Sequence, residues 1–107
     1  MALTRDFVLT VRDRARRDAG FRVGLLREAI GCFLEGDVQA GKYLLREYIN
    51  ATIGFEKLAQ KVGTPSKSLH RMLGDKGNPS ANTLFKILAE LQKSERVAPD
   101  VRLKAAA

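Results

Sequence analysis

Apolar residues recur at helical spacing along almost the whole chain, and polar or glycine-rich breaks divide them into six segments. The first covers residues about 4 to 18. Thr4 is placed to cap it, Asp6 lies in the first turn, and Phe7, Val8 and Val11 form an apolar edge. Asp18-Ala19-Gly20 breaks the pattern. A second helix is predicted from about Phe21 to Leu34, with Phe21, Leu25, Leu26, Ala29, Ile30 and Phe33 along it. Glu35-Gly36-Asp37 combines a glycine stop with an aspartate cap. The third helix then runs from Val38 to about Ala51, with Tyr43, Leu44, Glu47, Tyr48 and Ala51 near one face.

Two shorter segments follow. Leu58, Ala59 and Val62 mark one helix, and Leu69 and Met72 the next, with the chain reversing at Gly63. A glycine takes positive φ there at no steric cost. Thr64 is expected to cap the second of the pair, with Pro65 in its first turn, where a missing N–H loses nothing. The loop Gly74–Ser80 cannot stay helical. Ser80 then caps a last helix, about Ala81 to Lys93, carrying Leu84, Phe85, Leu88, Ala89 and Leu91. Periodicity is lost from Ser94 onward, although Val101-Arg102-Leu103 alternates like a short strand. The expected fold is all-α, with about six helices in one compact domain. Residues 1–53 form an N-terminal helical segment, 54–93 a helix-turn-helix region, and 94–107 a partly disordered tail.

Composition narrows the function. Nineteen Lys and Arg against twelve Asp and Glu leave a net charge of +7, which favours polyanionic partners. Arg12, Arg14, Arg16 and Arg17 concentrate part of it in the first segment, as a solvated face or as a basic arm. No run of about 18 apolar residues is present, so no membrane span is expected, and no export signal is visible. Cys32 is the only cysteine, which excludes an internal disulfide and suits a reducing, cytoplasmic setting. It is expected to be a buried small hydrophobe. His70 is the only histidine and has no nucleophile or orienting carboxylate at a recognisable spacing, so no catalytic, metal or cofactor residues are expected.

With Leu69, Met72 and Leu73 turned inward, Ser66, Lys67, His70 and Arg71 face outward on the same helix. A helix-turn-helix places such a face in the major groove of double-stranded DNA. Lys67 and Arg71 suit guanine edges, while Ser66 and His70 suit shorter polar contacts. Ser68, Lys61 and Lys76 are better placed for phosphates. One such unit offers few contacts, so a homodimer reading two half-sites roughly 34 Å apart is expected.

The stretch LAQKVGTPSKSLHRML, followed by GDKGNPSANTLFKILAEL, resembles the Xre family of lambda-repressor-like helix-turn-helix regulators. The combination SKSLHRMLGDKGNP is most similar to the HigA-like addiction-module antidotes. The resemblance implies an antitoxin that represses its own operon and neutralises a small toxin, usually a ribonuclease. Two positions depart from the pattern. Phe55 replaces a common glutamine that contacts phosphate and braces the recognition helix, and Pro65 replaces a common capping serine. A stand-alone regulator without a toxin, an interaction module that no longer binds DNA, and a small basic ribonuclease remain as alternatives. The ribonuclease fits least, because no confident strand is found.

Overall fold

The computed structural model describes residues 5–106. Six helices follow one another: α1 (Arg5–Arg17), α2 (Ala19–Leu34), α3 (Val38–Ala51), α4 (Phe55–Val62), α5 (Ser66–Met72) and α6 (Ala81–Glu95). The protein is all-α, with no strand among the described residues. No helix there is long and apolar enough to cross a membrane. Thr4 and the side chains of Asp6 and Val8 lie outside the described residues.

Local chemistry sets most boundaries. Asp18 accepts a hydrogen bond from the Phe21 amide, so α2 starts two residues earlier than its apolar pattern suggests. Asp37 accepts from the Ala40 amide, and Ser80 from the Thr83 amide, as expected of caps. Gly36 and Gly63 both adopt positive φ, at 86° and 71°, and so end α2 and α4 without a Cβ clash. The start of α5 differs from expectation. Pro65, not Thr64, holds the cap position, and no side chain bonds to the helix there.

The helices form two groups of three. In the first, α2 and α3 make the most extensive contact and α1 lies across both. Gly41 leaves room for the Phe33 ring, which a Cβ there would approach to 2.8 Å. In the second, α4 packs against α5 and α6. One continuous core joins the groups, with Leu26, Ala29, Leu45, Tyr48 and Ile49 meeting Phe55, Leu58, Leu69, Leu73, Ile87 and Leu91.

Two inward stripes differ from the sequence reading. In α3 the fully buried positions are Lys42, Leu45, Tyr48 and Ile49, while Tyr43 and Leu44 are only half-buried. This helix is packed on more than one side, so its buried arc is wider than a single stripe. In α6 the core takes Ile87, Leu88 and Leu91, and Phe85 points outward with 63% of its surface exposed. Cys32 is half-buried rather than buried. Desolvation, with help from Asp37, Glu28 and Glu35, pushes its thiol up from the ordinary range, away from a reactive thiolate. After Arg96, which takes a left-handed turn at φ 59°, the chain has neither helix nor strand through residue 106, so the strand suggested by Val101-Arg102-Leu103 does not form within this chain.

Candidate nucleic-acid interface

The α4–turn–α5 unit is built from the inside out. Leu58, Leu69 and Leu73 are fully buried, and Ala59 nearly so, which fixes the face each helix turns to the core. Lys67, His70 and Arg71 are exposed on the opposite side of α5, and Ser66 and Ser68 are partly exposed beside them. Lys76 is exposed in the loop after α5. The structure thus brings Ser66, Lys67, His70 and Arg71 onto one surface, as their spacing required.

Two of the expected contact residues are also engaged within the chain. The His70 ring stacks on Phe55, with centroids 3.9 Å apart and planes 23° from parallel. Phe55 therefore braces α5 through an aromatic face. Lys61 lies 3.7 Å from Glu90 of α6, with 46% of its side chain still exposed. Such a pair is weak enough to open towards a phosphate.

What the sequence reading missed is the clamp behind this surface. The Lys42 ammonium, on α3, donates to the carbonyl oxygens of Gly74 at 2.8 Å and Gly77 at 2.7 Å, and more weakly to that of Asp75 at 3.4 Å. Lys42 is 1% exposed. Gln39 donates to the Asp75 carbonyl at 2.9 Å, and Arg46 donates to the Leu73 carbonyl and pairs with the Asp75 carboxylate at 3.6 Å. Three side chains of α3 thus hold the backbone that leaves α5. These carbonyls lie just beyond the C-terminus of α5, where the helix dipole also favours positive charge. The loop closes tightly: a Cβ on Gly77 would overlap the carbonyl oxygens of Arg71 and Met72. The available signal was a lysine at an inward position of α3, four residues from Arg46 and followed by a loop rich in backbone acceptors.

A second polar junction lies at the far end of α6. Arg22 of α2 donates to both Glu95 carboxylate oxygens, at 2.8 and 3.0 Å, and also to the Ala15 carbonyl at 3.0 Å. The Tyr48 hydroxyl donates to the same carboxylate. Burial alone would raise the Glu95 carboxyl, but the bonds from Arg22 and Tyr48 and the guanidinium charge outweigh it and leave it below the ordinary value. Burial, with the bond to Glu95, drives the Tyr48 phenol far upward. Arg12 donates to Glu47 at 2.8 Å and ties α1 to α3, so one arginine of the basic first segment is structural. Arg14 lies 4.6 Å above the Phe21 ring, and Arg17 pairs with Asp13 at 2.8 Å.

Neither the sequence nor the fold matches a known family model, a curated protein or a solved structure.

Proposed function

We propose that this protein is a sequence-specific DNA-binding regulator that inserts α5 into the major groove. One observation carries the reading: Lys67, His70 and Arg71 are exposed on one side of a helix whose opposite side holds the fully buried Leu69 and Leu73. The tight turn at Gly63 and the net charge of +7 support it. In this reading Arg71 and Lys67 take guanine edges, His70 and Ser66 make shorter contacts, and Ser68, Lys61 and Lys76 reach phosphates. The protein acts as a homodimer on two half-sites, because one short helix gives too little contact for a specific site.

The resemblance of residues 66–79 to HigA-like antidotes adds a finer proposal: the chain is the antitoxin of a toxin–antitoxin pair and represses its own promoter. The test has two parts. A gel shift and footprint on the chain's own promoter, at stated salt, should show a protected site with two halves. Arg71→Ala should weaken that site by about 1–3 kcal/mol and leave the melting temperature unchanged. Undiminished affinity in this variant would remove Arg71 from the interface, and no protection at all would refute the regulator. A neighbouring small reading frame that is toxic when expressed alone, and harmless with this protein, is expected for the antitoxin. Its absence leaves a stand-alone regulator.

A further inference from the structure

On the side of α2 where the tail returns, the surface is apolar and hollow. After Arg96 the tail runs back alongside α2, and between them lies a groove of about 580 Å³. Val23, Ile30 and Leu34 of α2 form one wall, and Val97, Pro99 and Val101 of the tail form the other. Leu34 is 73% exposed and Val101 70% exposed, although both line the groove. Gly31 also lines it, and a Cβ at that position would meet no atom within 4 Å. A volume of this order matches small-molecule sites, which fall at roughly 300–1,000 Å³.

Charge at the rim selects the ligand class. The groove has two arginines, Arg27 and Arg102, and one acid, Asp100. Arg102 is taken up by Asp100 at 3.4 Å. Arg27 is exposed and makes no hydrogen bond or ion pair within the described residues. It sits one turn from Val23 and Gly31 on the same helix, so an uncommitted guanidinium stands at the edge of an apolar trough. A guanidinium takes a carboxylate in a two-pronged fork. The tail closes the trough on one side, which suits a short apolar chain better than a second helix.

We propose that this groove binds a small apolar carboxylate, such as a medium-length alkyl or aryl acid, with its carbon skeleton between α2 and the tail and its carboxylate on Arg27. The proposal does not depend on what α5 binds.

Calorimetric titration of the full chain with dodecanoate, kept below its micelle concentration, tests it. One ligand per chain is expected. Dodecyltrimethylammonium, with the same tail and the opposite charge, should bind at least about tenfold more weakly, the factor expected when a charge-assisted bond is lost. Arg27→Gln, at an exposed position, should weaken dodecanoate by a similar factor and erase the preference for the anion. Gly31→Leu should fill the groove and abolish binding, while circular dichroism shows the helices intact. Equal affinity for both charges, unchanged affinity in Arg27→Gln, or binding that survives Gly31→Leu would overturn the proposal. So would a concentration-dependent dimer that Gly31→Leu disperses, since the groove would then seat a second copy of the chain.

Discussion

The two polar junctions between the halves of this protein solve the same problem with different chemistry. At one, Lys42, Arg46 and Gln39 bind mainly neutral carbonyl oxygens of the loop after α5. At the other, Arg22 and Tyr48 bind an ionised carboxylate, Glu95, at the end of α6. The carbonyl junction orders backbone: each bond fixes where a peptide unit lies, and so how α5 ends. The carboxylate junction orders helices: it pins α6 against α2 and α3 but dictates no loop. The first has few substitutes, because it depends on a loop shape. The second depends on charge and is open to pH.

Substitutions should separate the two, the loop being the more sensitive. Gly77→Ala should cost the most, about 3 kcal/mol or more, because its Cβ overlaps rigid backbone that cannot move aside. Urea unfolding would measure this, and a loss below about 1 kcal/mol would mean that the loop has another closed form. Lys42→Met comes next, at about 2 kcal/mol, since it takes the ammonium away from the part-buried carbonyls of Gly74 and Gly77. Glu95→Gln should cost less, about 1–2 kcal/mol at neutral pH, as Arg22 keeps its bond to the Ala15 carbonyl. Lys61→Ala should stay within about 0.5 kcal/mol, because its partner contact is half exposed.

The pH dependence sharpens the contrast. The folded Glu95 carboxyl lies below the 4.5 of a free side chain. The stability it contributes is therefore fully present above that value, and is lost as pH falls below it through the folded one. The stability gap between the native chain and Glu95→Gln should narrow across this window. The gap to Lys42→Met should persist there, because a carbonyl does not titrate. Melting curves of the three proteins between neutral and acidic pH would show both trends.

Much of this architecture was readable from residue order. Gly63, Asp37 and Ser80 announced turns and caps because their effects are local, and Leu69 and Leu73 placed the outward face of α5 through periodicity alone. The misses have a common cause in tertiary context. Lys42 is buried because a loop more than thirty residues away supplies its acceptors, which no helical pattern records. Glu95 fell where periodicity had faded, yet α6 continues through it because Arg22 and Tyr48 wait at that end. Phe85 shares the helical spacing of the core stripe yet faces outward, because a stripe drawn one position too wide still looks regular. Of the proposed contact residues, the exposure of Lys67, His70 and Arg71 was legible, but the stacking of His70 on Phe55 required two segments to meet.

The grip of Lys42 on the loop has a dynamic consequence. Helix α5 is seven residues long and begins without a side-chain cap, so on its own it would be only marginally helical. Besides its packing on α4 through Leu69 and His70, it is fastened by α3 at the end opposite the turn. Amide protons of α5 should then exchange in step with those of α3 rather than ahead of them, and releasing the ammonium by Lys42→Met should uncouple the two and let α5 open first.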